Sequence, residues 1–220
     1  MTRKRWLYLA FFVILFFGFY LALTKIIPGY GDVNLPVLSQ VQPFSFTNQD
    51  GKTITNRDVD GKVYVAEYFF TTCKGICPKM NNNLKTVYEK FKSDPDFRIL
   101  SHSVDPETDS VGRMKRYADS MQTDSKTWYF LTGGRESLYH AARVSYLLDD
   151  PKNDKGNVDE QFIHTQFFAV VDKNGQVRKI YDGLKKNEIK TLQEDIRLLL
   201  KEKSTGSHAA SVLYRESPTP

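Results

Sequence analysis

Sulfur is scarce in this chain of 220 residues, with two cysteines, Cys73 and Cys77, and four methionines. Met1 is the initiator, and Met80, Met114 and Met121 fall on apolar helix faces as core filler, so there is no methionine-rich tract for a soft metal. Internal repeats and heptads are also missing, which excludes a solenoid or a coiled coil. An excess of one charge is absent over most of the length. The formal net charge is +5, but Arg3, Lys4, Arg5 and Lys25 supply four of the 31 basic residues. From residue 26 onward 27 basic residues face 26 acidic ones, a net of +1. A nearly neutral domain has no electrostatic footprint for polyphosphate, and nucleic acid is set aside as a partner. Hydrophobic residues at 40% and aromatics at 13% are enough to bury a real core.

Acidic residues are absent before Asp32. In their place runs Trp6-Leu-Tyr-Leu-Ala-Phe-Phe-Val-Ile-Leu-Phe-Phe-Gly-Phe-Tyr-Leu-Ala-Leu23, uncharged throughout and close to the roughly 20 residues that a helix needs to cross hydrocarbon. It is longer than the apolar part of a signal peptide, and no small-x-small cleavage site follows it. The expectation is a retained membrane anchor over residues 1–25. Arg3, Lys4 and Arg5 would stay in the cytoplasm and everything beyond Lys25 would lie on the far side. With no Arg- and Ser-rich transit peptide ahead of it, the simplest setting is a bacterial inner membrane, single pass, with a periplasmic domain.

Pro28, Gly29, Gly31 and Pro36 make residues 26–40 a linker. Two short runs, Phe44-Ser-Phe-Thr and Lys52-Thr-Ile-Thr, flank Gln49-Asp50-Gly51 as a hairpin. Lys62 to Phe70 reads as a central strand, apolar and β-branched or aromatic. Met80, Leu84, Val87 and Phe91 share one helical face beginning at Pro78. A strand at 97–104, a helix marked by Val111, Met114, Ala118 and Met121 with Asp109 or Ser110 as its cap, and a strand at 128–131 come next. A short helix over 135–144, a hairpin of 165–171 with 176–181 around Lys173-Asn174-Gly175, and a helix carrying Ile189, Leu192, Ile196 and Leu199 complete the domain, 41–201. Residues 202–220 read as a disordered tail. Alternating strands and helices spell an α/β mixed sheet with helices on both faces.

Cys73 and Cys77 fall where the first central strand hands over to its helix, the end at which α/β sheets build sites. A structural disulfide between residues four apart removes little entropy from the unfolded chain. Redox dithiol and metal site remain. Pro78 puts Cys77 at a helix N-terminus and Lys74 adds a cation, both of which favour thiolates. Gly75 lets the two sulfurs face one volume, a donor set suited to Cu(I) and also to zinc. Among the four histidines His164 is best placed as a third ligand, after an irregular polar stretch from Asp149 to Gln161. His102, between two serines, reads as a sheet residue, and His140 and His208 as surface residues.

These residues resemble the Sco/SenC family. The match is carried by Cys73-Lys-Gly-Ile-Cys77-Pro after an aromatic-ended strand, Ser103-Val-Asp-Pro-Glu-Thr-Asp109, Trp128-x-x-Leu-Thr-Gly133 and Phe162-Ile-His-Thr-x-Phe-Phe-Ala-Val-Val-Asp172. Ser110 stands where many relatives carry proline. The resemblance implies a thioredoxin-like fold and copper, Cu(I) or Cu(II), bound by Cys73, Cys77 and His164. Asp105 would lie nearby as a weak ligand or supporting group, or simply as a helix-entry residue. It also implies a role in assembling the binuclear copper centre of cytochrome c oxidase by copper delivery, thiol reduction or both. Partners would be the oxidase's copper-bearing subunit or its assembly factors. The rival from the residues themselves is a thiol–disulfide oxidoreductase that stores no metal.

Overall fold

The structure is a computed structural model that describes residues 3–26, 35–149 and 166–204. The chain divides into two compact units, Met1–Leu35 and Pro36–Pro220. The first holds one helix, α1 (Arg3–Ile26), whose large side chains from Trp6 to Tyr20 are exposed. Among the described residues no helix is long and apolar enough to cross a membrane.

The second unit is built on eight strands: β1 (Ser39–Gln40), β2 (Ser45–Asn48), β3 (Thr53–Thr55), β4 (Val63–Phe69), β5 (Phe97–Ser103), β6 (Trp128–Thr132), β7 (Phe167–Val171) and β8 (Gln176–Asp182). Their order across the sheet is β1-β8-β7-β4-β5-β6-β2-β3. The pairs β4–β5 and β5–β6 are parallel and the rest antiparallel, so the sheet is mixed. β4 is central and buried along its whole length, which explains why its sequence shows no apolar–polar alternation. Gly51 and Gly175 take positive φ (76° and 71°) in the β2–β3 and β7–β8 turns, a backbone conformation that costs glycine little.

Between the strands lie α2 (Asn56–Val59), α3 (Cys77–Phe91), α4 (Val111–Ser120) and α5 (Arg135–His140), the last running into a π-helical turn at Ala141–Ser145. α6 (Lys186–Lys201) closes the fold and packs beside α3. The apolar faces read from spacing are the buried ones: Met80, Leu84, Val87 and Phe91 on α3, and Ile189, Leu192, Ile196 and Leu199 on α6. On the opposite face Tyr64 and Tyr68 of β4 pack with Phe46, Leu100, Leu138 and Tyr146. Two elements escaped the sequence pattern. β1 lies inside the stretch read as linker, its two residues held by pairing with β8, and α2 is a single turn closed by reciprocal Thr55 and Asp58 hydrogen bonds.

Candidate metal centre

β4 ends at Phe69, and the following loop turns sharply because the Cys73 N–H donates to the Phe70 carbonyl (3.2 Å). Cys73 is half-buried in that loop, and Cys77 is the first residue of α3 and buried. Both are free thiols. Pro78 occupies the first turn of α3, where its missing N–H has no partner to lose.

The expectation that the helix N-terminus yields a thiolate at Cys77 is not met. Burial pushes the Cys77 thiol far up, the neighbouring Cys73 thiol adds to this, and the Phe70 backbone opposes it only partly. Desolvation outweighs the helix terminus because Cys77 is only 5% exposed and burial penalises the charged form. The pair is therefore asymmetric: Cys73 is the accessible sulfur, and Cys77 holds its proton until something stronger replaces it.

A carboxyl group lies behind the pair. Glu67 of β4 is fully buried, and burial raises it to about 8 against the ordinary 4.5. Ser101 Oγ lies 2.5 Å from Glu67 Oε1 and accepts a hydrogen bond from Trp128 Nε1 (2.8 Å). The Asn81 amide stands 2.7 and 3.1 Å from the two Glu67 oxygens and 2.7 Å from the Tyr117 hydroxyl. The Asn81 amide nitrogen donates to the Glu67 carboxyl group and its oxygen accepts from the Tyr117 hydroxyl, which satisfies both ends of the amide. Asn81 is one helical turn beyond Cys77, so this network ties the first turn of α3 to β4. Tyr117 is pushed up to about 12 by burial first, opposed by its hydrogen bond with Asn81, with Glu67, Cys77 and Cys73 adding to the rise.

Asp109 holds the other side. Its carboxylate accepts from the Thr71 N–H (3.2 and 3.3 Å), the Thr71 hydroxyl (2.5 Å) and the Ser103 hydroxyl (2.6 Å), and the residue has no exposed surface. The reading of Asp109 as a possible cap for α4 gives way to this: Ser110 takes the N-cap position without a side-chain bond, while Asp109 turns inward to the cysteine loop. Its spacing from Ser103 carried no signal, because Thr71, its other partner, is 38 residues away. Asp105 bonds within its own turn, its backbone N–H donating to Ser103 Oγ (3.0 Å) and its carboxylate accepting from the Thr108 N–H (3.3 Å). This is the behaviour of a helix-entry residue.

His164 lies outside the described residues, as does His208. Among the described residues no cluster of three metal-donor side chains occurs. His102 is a core residue, stacked on Tyr68 (4.9 Å between centroids) with Nδ1 3.2 Å from the Glu67 carbonyl. Burial lowers it to about 4, so the ring is neutral, and its Nε2 has no hydrogen-bond partner among the described residues. In the sequence Glu67 reads as one more residue of a central strand. A charged residue in an otherwise apolar stretch, six positions before a cysteine, was the available signal.

A mixed α/β sheet with a free dithiol at the end of its central strand defines a protein of thiol or thiolate-metal chemistry. Residues 36–201 match the SCO1/SenC family model. The chain belongs to that family. It is 32% identical over 170 residues to the SCO1 protein homolog of Bacillus subtilis, covering 77% of this chain and 87% of that protein. It spans about half the length of the mitochondrial relatives it also matches. The fold is similar to that of BsSco, described as a member of the Sco family of cytochrome c oxidase assembly proteins with a disulfide switch. There the TM-score is 0.66 at 32% identity, covering 76% of this chain and 97% of that one. It also shares its fold with copper-bound ScoI of Bradyrhizobium japonicum, with a TM-score of 0.57 at 22% identity, covering 74% of this chain and all of that one.

Proposed function

We propose that this protein binds copper through Cys73, Cys77 and His164 and assists assembly of the binuclear copper centre of cytochrome c oxidase. It does so by delivering copper, by reducing thiols of that site, or by both. The observation that carries the reading is the dithiol at the β4–α3 junction, one sulfur open and one buried, in a chain of the SCO1/SenC family. Two thiolates and an imidazole satisfy Cu(I) in a trigonal site, and an added water or carboxylate holds Cu(II). The thioredoxin-like arrangement expected of the family agrees with the mixed sheet. In this reading Asp105 has a supporting role at most, and its hydrogen bonds within its own turn suit a helix-entry residue. The apolar run of α1 anchors the chain in a bacterial inner membrane with the domain on the periplasmic side, close to a membrane-embedded acceptor. The acceptor is the oxidase's copper-bearing subunit or one of its assembly factors.

The chain's own residues set the order of events. Copper arrives at Cys73, the accessible sulfur, and binding at Cys77 expels the proton that burial otherwise retains there. Asp109 fixes the loop bearing Cys73, and the Glu67–Asn81 bond fixes the turn bearing Cys77. A second reading, thiol–disulfide exchange, is favoured by the same asymmetry. The Cys73 thiolate attacks a sulfur of the partner's disulfide, forming a mixed disulfide and releasing one partner thiolate. Cys77 then loses its proton and attacks Cys73 Sγ, which releases the second partner thiol and leaves a Cys73–Cys77 disulfide. Two electrons pass to the partner.

The test loads the reduced full chain, in detergent, with Cu(I) and with Cu(II). Stoichiometric copper with thiolate-to-Cu(II) absorption is expected, lost in His164→Ala and in the Cys73/Cys77 double serine. Normal copper binding by His164→Ala would exclude the three-ligand site. Reduction of a protein disulfide without copper binding would establish the second reading in place of the first.

A further inference from the structure

The cysteine loop borders a cleft of about 340 Å3 lined, among the described residues, by Thr71, Arg113, Arg116 and Tyr117. Thr71 stands two residues before Cys73, so the cleft opens beside the cysteine loop. Both arginines come from α4, where the ion pairs belong to Lys115 with Asp50 and Asp119. Arg113, Arg116, Lys74 and Lys79 take part in no ion pair among the described residues, and Lys74, Lys79 and Arg116 are exposed. Asp109, the carboxylate behind Thr71, is buried and fully taken up by Thr71 and Ser103. Two of these four cations, Arg113 and Arg116, line the cleft, and the other two, Lys74 and Lys79, flank the cysteines in sequence, in a domain that is otherwise close to neutral.

We propose that this cleft is the docking site for an acidic surface of the protein that exchanges copper or a disulfide with Cys73 and Cys77, its carboxylates seating between Arg113 and Arg116. The proposal rests on the reading of the cysteine pair given above. A guanidinium presents a fork of donors that matches a carboxylate, and unpaired rim cations speed the approach of an oppositely charged partner. Placing them at the mouth of the thiol site brings the partner's own sulfurs or copper to Cys73 as it docks.

The experiment uses the full chain in phosphatidylcholine nanodiscs and a fluorescent, cysteine-free peptide of alternating Asp, Glu and Tyr, beside its Lys and Arg counterpart. Anisotropy should show the acidic peptide bound at low salt at least tenfold more tightly than the basic one. The Arg113→Glu/Arg116→Glu pair should abolish that preference, and the charge-matched pair Lys190→Glu/Lys201→Glu on α6 should retain it. Bound peptide should also slow alkylation of Cys73 by iodoacetamide. Equal losses in the two double variants, or no protection of Cys73, would overturn the proposal. So would variants that lose binding to phosphatidylglycerol vesicles while keeping the peptide, since the surface would then be a lipid one. Copper loading of the wild type is measured in parallel. Its failure sinks the copper reading and leaves the peptide result standing by itself.

Discussion

Replacing Glu67 with glutamine should make the protein more stable at alkaline pH and change how its stability depends on pH. Glu67 is held at about 8 in the fold and at 4.5 when unfolded. Between those values the folded chain binds a proton that the unfolded chain has released, so stability falls as pH rises. Its contribution is complete below pH 4.5 and is lost as pH climbs through 8. About 3.5 pH units at about 1.4 kcal/mol each set an upper bound near 5 kcal/mol. His102 works in the opposite sense: lowered to about 4 from 6.5, it removes stability as pH falls below 6.5. The two slopes oppose one another between pH 4.5 and 6.5, and Glu67 is the one still acting between 6.5 and 8. The assay is urea unfolding of wild type and Glu67→Gln at pH 5, 6, 7, 8 and 9, taking the difference at each pH to cancel His102. The difference should grow in favour of the variant by about 2–4 kcal/mol from pH 5 to 8 and then level off. Parallel curves would show that Glu67 titrates alike in both states, and the account of its burial would be wrong.

Asp109→Asn should weaken Cu(I) binding by about tenfold or more while the chain stays folded, because the amide nitrogen meets the donors of Thr71 and Ser103 and the Cys73 loop loosens. Competition against a chromophoric chelator reads this, and unchanged affinity would remove Asp109 from the support of the site. Gly183→Ala should cost about 1–3 kcal/mol in urea unfolding, since its Cβ would stand 2.7 Å from Phe168 Cζ and 2.9 Å from the Gln166 carbonyl oxygen. A neutral effect would mean that the strand edge yields there. Apparent Cu(I) affinity should rise with pH from 6 to 8, because Cys77 keeps its proton throughout that range and copper must displace it. A flat profile would show that the thiol is already ionised.

Most of the scaffold could be read from residue spacing alone. The face of α3 from Met80 to Phe91 and that of α6 from Ile189 to Leu199 repeat at helical period because each covers one side of the sheet. β4 could be recognised because a strand buried on both faces has no reason to alternate. β1 could not, since two residues carry no period and their strand geometry comes from β8. The polar support of the site was equally hidden. Glu67, Asn81, Ser101 and Tyr117 are spread over 51 positions of the chain and meet only across β4, β5, α3 and α4.

The cysteine pair, its place at the end of the central strand, and the family to which the chain belongs were determined by the sequence, because four residues of spacing and a proline are local features. The state of those cysteines was decided by the tertiary structure. A helix N-terminus and a nearby lysine argue for a thiolate at Cys77, yet the packing around α3 removes the water that a thiolate needs, and the proton stays. The same packing left the N-cap of α4 to Ser110, the other residue read for it, and made Asp109 the anchor of the Cys73 loop. Burial and long-range contact depend on where distant segments meet, and no stretch of sequence carries that by itself.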